Sequence, residues 1–122
     1  MGSQGIVALK VFVPAKDYSG SSQFYQDLGF ELVWKNDEVQ EMRVGEYSFF
    51  LQNYYQQEWA DNFMLQLMVE DLDLWWHVIE EQKLTERYAG VKAKAPQDYP
   101  WGLREIHLID PAGVLWHIAQ VK

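Results

Sequence analysis

Residues 5–14, GIVALKVFVP, are rich in β-branched side chains, partly alternate and end at Pro14, which predicts a strand. Ser19-Gly20-Ser21-Ser22 then offers helix N-caps ahead of QFYQDLGF. Phe24, Tyr25 and Leu28 make an i, i+1, i+4 apolar stripe, and Gly29 supplies the stop. Phe30–Lys35 predicts a strand, Asn36-Asp37 a turn, and the alternating Val39–Val44 a second strand. Gly45-Glu46 turns into a third, Tyr47–Gln52. Residues 53–62, NYYQQEWADN, have no period and predict a linker rich in side chains that recognise ligands.

The pattern then restarts. FMLQLMV (63–69) predicts a strand, and Glu70-Asp71-Leu72-Asp73 caps a helix running to about Gln82. The stretch 84–100 is less regular, with one weak strand around Tyr88–Ala93. Leu103–Ile109 and Val114–Gln120 are the last two strands. The order is β-α-β-β-β, loop, β-α-β-β-β, and the halves answer each other in sequence. VPAKD (13–17) corresponds to VEDLD (69–73), and EMRVGEYSFFLQ (41–52) to EIHLIDPAGVLWHIAQ (105–120). The expectation is an α+β fold of one domain, residues 1–122, built from two βαβββ modules at about 5–52 and 63–121 around the linker 53–62. Each module is a half-covered sheet, and pairing two such sheets encloses a cleft.

Composition narrows the possible functions. With no cysteine, disulfides, thiolate metal sites and cysteine nucleophiles are excluded, and a reducing cytoplasm is the expected location. No apolar run approaches the roughly 20 residues of a membrane span, and the first residues lack the basic-then-apolar layout of a secretion signal. A net charge of −8 opposes nucleic-acid binding and favours a cationic ligand. Six Trp, seven Tyr and six Phe are more than a core of this size readily hides, so some should line a pocket or an interface. No phosphate-cradling glycine loop and no G-x-S-x-G nucleophile elbow is present.

The remaining chemistry gathers at the last hairpin. In Asp110-Pro111-Ala112-Gly113 the aspartate can cap the turn, proline presets φ and glycine takes a left-handed position, which describes a type I turn with a glycine bulge. Such a turn pairs Asp110 with Val114, so His107 falls opposite His117, with Glu105 on the same face. Two imidazoles and a carboxylate are one kind of metal set; neutral histidines hydrogen-bonding at the edge of a cleft are the other reading. Neutral, hydrogen-bonding histidines are the expectation, with no metal and no cofactor. Trp101, held between Pro100 and Gly102, is the residue best placed to stack on a ligand. Trp34 and Phe50 alternate along strands, while Tyr54, Tyr55 and Trp59 lie on the linker, and all five are candidates for pocket wall or rim. His77, among Trp75, Trp76 and Glu80, reads as a surface or packing residue.

The duplicated order, with FYQDLGFELVW (24–34) and PWGLREIHLIDPAGVLWHIAQ (100–120), resembles the vicinal-oxygen-chelate superfamily and, within it, the glyoxalase/bleomycin-resistance group. The likeness is to its bleomycin-binding resistance proteins. It implies a small acidic homodimer that is not an enzyme and holds a cationic, aromatic glycopeptide between subunits, with Trp101 at the stacking position. The superfamily's metal enzymes carry ligands at positions that fall here on about Ala8, Phe50 or Leu51, Met64 and His117. A shift of two gives Lys10, Gln52 and Gln66, so only His117 could bind a metal by that pattern. The expected function is non-catalytic binding and sequestration of a small cationic, partly aromatic molecule, such as a bleomycin-type antibiotic. Trp101, His107, His117, Trp34, Phe50, Tyr54, Tyr55 and Trp59 are the expected ligand-binding residues. The alternatives are a metal-dependent lyase, isomerase or dioxygenase using His107, His117 and Glu105, and an effector-binding regulatory module.

Overall fold

Two mixed four-stranded sheets make up the protein in the computed structural model, which describes residues 4–121. The first is formed by β1 (Phe12–Pro14), β2 (Glu31–Lys35), β3 (Val39–Val44) and β4 (Tyr47–Gln52), in the order β1-β4-β3-β2. The second is formed by β5 (Met64–Met68), β6 (Lys92–Asp98), β7 (Leu103–Ile109) and β8 (Leu115–Val121), in the order β5-β8-β7-β6. In each sheet the strand that precedes the helix runs parallel to its neighbour, and the other pairings are antiparallel. The long helices are α1 (Tyr18–Leu28) and α3 (Leu72–Glu81); short turns α2 (Gln57–Ala60) and α4 (Leu84–Arg87) complete the chain. Among the described residues no helix is long and apolar enough to cross a membrane.

Alternation along the strands sorts side chains into a core face and an open face. Met42, Phe49 and Leu51 in the first sheet, and Ile106, Leu108, Trp116 and Ile118 in the second, are buried against Phe24, Tyr25, Leu72 and Ile79 of the helices. Aromatic rings join the modules: Tyr25, Phe30 and Phe49 all meet Trp116 edge-on or tilted, at centroid distances of 5.8, 5.6 and 5.4 Å. Edge-to-face packing of this kind adds about 0.5–1.5 kcal/mol per pair beyond burial. The open faces look away from this core, and they carry the polar and partly exposed aromatic residues.

Several sequence expectations change. The predicted first strand narrows to Phe12–Pro14, because only these residues pair in register with β4. Residues 6–11 lead into it as an apolar arm, with Ile6 69%, Val7 98% and Leu9 89% exposed. Asp17, not the Ser19–Ser22 cluster, caps α1, its carboxylate accepting from the Gly20 amide at 3.0 Å. Asp71 caps α3 in the same way through the Leu74 amide. These two caps set the true correspondence of the halves, with Asp17 answering Asp71, so the VPAKD and VEDLD segments align two residues away from the sequence reading. The linker contains α2, and the strand expected around Tyr88–Ala93 lies at Lys92–Asp98, where a bulge between Lys94 and Gln97 spans Pro96.

Candidate functional site

The hairpin between β7 and β8 forms as its sequence dictates. The Asp110 amide donates to the Val114 carbonyl at 2.9 Å, and Gly113 turns with φ +101°. The resulting register sets His107 opposite His117 on the open face of the second sheet. Glu105, two residues along β7, lies between them and is only 2% exposed. Its Oε1 is 2.8 Å from His107 Nε2 and 2.9 Å from His117 Nδ1. Its Oε2 accepts from the Trp101 indole N–H at 2.6 Å.

One carboxylate thus has three donors aimed at it. Burial works against its charge, but the indole and the two imidazoles outweigh that cost and hold the Glu105 carboxyl below the usual carboxylate range. For both imidazoles to donate, the proton sits on Nε2 in His107 and on Nδ1 in His117. The Tyr99 hydroxyl, 3.5 Å away, is then paired with His107 Nδ1.

The turn from β6 to β7 builds the rest. The Tyr99 amide donates to Leu103, the Gly102 amide to Tyr99, and Gly102 adopts φ +89°, which folds Trp101 back over its neighbour. The Trp101 and Tyr99 rings stack at 4.8 Å and 16°, and Tyr99 stacks in turn on His107 at 4.9 Å and 23°. Trp101 remains 59% exposed. The product is a shelf of three parallel rings ending at a buried carboxylate. It flanks a groove of about 390 Å³ lined by Met64, Leu65, Gln66, Trp101, Glu105 and His117.

The other expected residues form two separate groups. Trp34 and Phe50 pack together at 5.9 Å on the open face of the first sheet, with Phe12 5.0 Å from Phe50. Glu41 is the carboxylate there, but the chain's own Lys10 reaches it at 2.6 Å, joined by Ser48 and the Trp34 indole at 2.8 Å each. Tyr54 and Trp59 meet at 5.8 Å on the linker, while Tyr55 packs against the core with Lys16 over its ring. His77 is on the exposed side of α3, paired with Glu81. Tyr99 is not among the residues the sequence points to, and Glu105 enters there only in the alternative metal set, not among the ligand-binding residues. Glu105 had a signal, its shared facing with His107; Tyr99 had none, since its place in the stack depends on the turn.

A pH dependence follows from Glu105. Its carboxyl is easier to ionise folded than unfolded, so the stability it contributes is present above the ordinary glutamate range and is lost as pH falls through the lowered value. Urea unfolding of the wild type and Glu105→Gln should therefore differ most at about pH 7 and converge towards about pH 3. A constant difference across that range counts against the three-donor account.

Comparison with known proteins places this geometry in context. The model of the Glyoxalase/Bleomycin resistance protein/Dioxygenase superfamily matches residues 7–118. A bleomycin resistance determinant encoded on the transposon Tn5 superposes with a TM-score of 0.83 at 21% identity, covering 96% of this chain and 99% of that one. The bleomycin-binding protein from bleomycin-producing Streptomyces verticillus, complexed with copper(II)-bleomycin, gives 0.75 at 23%, covering 96% and 98%. A lactoylglutathione lyase from Agrobacterium tumefaciens gives 0.67 at 16%, covering 93% and 92%. At these identities the likeness is one of fold, and it spans binders and an enzyme alike. No curated protein matches the chain in sequence.

The positions that the enzymes' pattern assigns to metal do not fit one here. Ala8 and Met64 offer no ligand, Leu51 is buried in the core, and Phe50 packs on aromatic rings. In the register of the sheets Phe12 pairs with Phe50 and Gln66 with His117, so His117 alone brings a ligand.

Proposed function

Because the chain belongs to the Glyoxalase/Bleomycin resistance protein/Dioxygenase superfamily, we propose that its second sheet binds a small cationic, partly aromatic molecule, such as a bleomycin-type antibiotic, and holds it unchanged. One observation carries this reading: the shelf Trp101–Tyr99–His107 presents an exposed aromatic surface beside the buried negative charge of Glu105. A planar cation placed there gains stacking and cation–π attraction, each about 0.5–2 kcal/mol, in addition to the field of a chain with net charge −8. Glu41 on the other sheet is paired with Lys10, whereas the donors on Glu105 are an indole and two imidazoles, so its charge is not matched by a lysine or arginine. Sequestration needs no bond to be broken; tight binding in a cysteine-free protein suited to the cytoplasm is enough to lower the free ligand concentration.

The binding reading includes a homodimer. A single chain leaves both open faces to solvent and carries the exposed arm Ile6–Val11 ahead of β1, surface that a second copy can cover. Sedimentation should give twice the chain mass, and Val7→Glu with Leu9→Glu should shift the protein to monomer with its circular dichroism intact. A monomeric wild type would contradict this part of the reading.

The function itself is tested by titrating chelator-treated protein with metal-free bleomycin and following tryptophan fluorescence. Saturable quenching near one ligand per chain is the expected result. No quenching at about millimolar ligand would overturn the proposal, since that corresponds to less than about 4 kcal/mol of binding.

A further inference from the structure

We propose that Glu105, His107 and His117 form a site for one divalent transition-metal ion, a set that shares only His117 with the superfamily enzymes' positions and goes beyond the ligand reading above, with which it shares the Glu105 carboxylate. The three donor atoms, Glu105 Oε1, His107 Nε2 and His117 Nδ1, all lie within 4.8 Å of one another, with both nitrogens under 3 Å from the oxygen. Ligands about 2.0–2.2 Å from a common ion stand roughly 3–3.5 Å apart, so the trio admits an ion once the oxygen–nitrogen distances open slightly, the two nitrogens draw together and each imidazole proton moves to its other ring nitrogen. Adjacent antiparallel strands fix this geometry, because His107 and His117 are direct cross-strand partners and Glu105 is one pleat away.

A second, independent observation is the outer shell. Metal-binding groups are ordinarily held by hydrogen bonds at their far atoms, and here two of the three are. Glu105 Oε2, the oxygen facing away from the imidazoles, is bound by the Trp101 indole, and His107 Nδ1 faces the Tyr99 hydroxyl. Both histidines are about a quarter exposed or less and the carboxylate is buried, so one side of the trio is closed by the sheet. The groove lined by Gln66, Trp101 and His117 lies on the other side, leaving coordination positions for water or an exogenous donor. Two imidazoles and one carboxylate suit zinc, iron, nickel, cobalt or copper and are a poor set for magnesium or calcium, which prefer oxygen.

The test uses the full chain after chelator treatment, with no organic ligand present. Cobalt(II) is titrated by visible absorption and zinc by calorimetry. One ion per chain is expected, with binding abolished in His117→Ala and in His107→Ala. Trp101→Phe keeps an aromatic ring and an exposed position but loses the indole donor, so it should fold normally and bind roughly 10–100-fold more weakly. His77→Ala, which removes the exposed pair with Glu81, should change nothing. The proposal is overturned by an absence of binding at about millimolar cobalt, by wild-type affinity in either histidine variant at the site, or by loss of binding in His77→Ala. The bleomycin titration on metal-free protein reports the ligand reading alone, so either proposal can fail while the other stands.

Discussion

Substituting Asp110 with alanine is expected to lower the unfolding free energy by about 3 kcal/mol, and the melting temperature by on the order of 10–15 °C. Asp110 is completely buried, and both its carboxylate oxygens accept hydrogen bonds. Its Oδ1 accepts from the Ala112 and Val114 amides at 2.8 and 2.9 Å, and its Oδ2 from the Tyr25 hydroxyl. That hydroxyl in turn accepts from the Trp116 indole at 2.9 Å, so one carboxylate ties the last hairpin to α1 and to the shared aromatic core. Alanine leaves the fully buried Tyr25 hydroxyl without an acceptor and two turn amides without their cap, each a cost of about 1–3 kcal/mol if water does not reach them.

Asp110→Asn separates charge from geometry. Burial raises the Asp110 carboxyl above its ordinary value, against the lowering effect of its donors. A carboxyl raised in the fold contributes its stability in acid and loses it as pH rises, so at neutral pH the ionised form carries a penalty that asparagine escapes. Asparagine also keeps an acceptor for the two amides, but its amide nitrogen takes the place of Oδ2 and cannot accept from the Tyr25 hydroxyl, a loss that outweighs the relieved charge. It should therefore fall between wild type and Asp110→Ala in thermal melts at about pH 7. If Asp110→Ala loses less than about 1 kcal/mol, the clamp does not hold the hairpin, and another contact must fix the register that pairs His107 with His117.

What the sequence revealed, and what it did not, divides along local and non-local interactions. The turn Asp110–Gly113 and its consequence, His107 facing His117, were legible because a few adjacent residues determine them. The two-module order was legible because alternation and helix stops are also local. The first strand was overextended because β propensity in residues 5–11 says nothing about a partner, and within one chain β4 pairs only Phe12–Pro14. Asp17 and the serines that follow are all good caps; the helix begins at the earlier one and takes Ser19-Gly20-Ser21 into its first turns. The strand at Lys92–Asp98 was hidden by its polar sequence and by Pro96, both of which suit an exposed edge.

The candidate site shows the same division. Selecting residues by type gathered Trp34, Phe50 and Trp101 together, yet the first two stand on a different sheet from the third. Tyr99 escaped notice because stacking on Trp101 requires the left-handed Gly102 to bring the two rings face to face. Glu105 was recognised for its facing, but not as the acceptor on which an indole and two imidazoles converge.

Trp101→Ala is expected to weaken binding of metal-free bleomycin by about 1.5–2 kcal/mol, on the order of 10–30-fold, with no comparable loss of stability. The indole is 59% exposed and packs on one face only, against Tyr99, so its other face is the free surface of the shelf. Truncation removes that surface and strips Glu105 of one of its three donors. Trp101→Phe distinguishes the two effects: it retains a ring for stacking and removes only the N–H, and it should lose less than the alanine variant. Trp34→Ala locates the far wall of the cleft. Trp34 lies on the first sheet, so an unchanged affinity means that the ligand rests on the second sheet alone. A loss similar to that of Trp101→Ala, abolished when Val7→Glu and Leu9→Glu separate the copies, means that the first sheet of one copy closes over the second sheet of the other. Wild-type affinity in Trp101→Ala itself would remove the stacking surface from the binding account, and the proposed function with it.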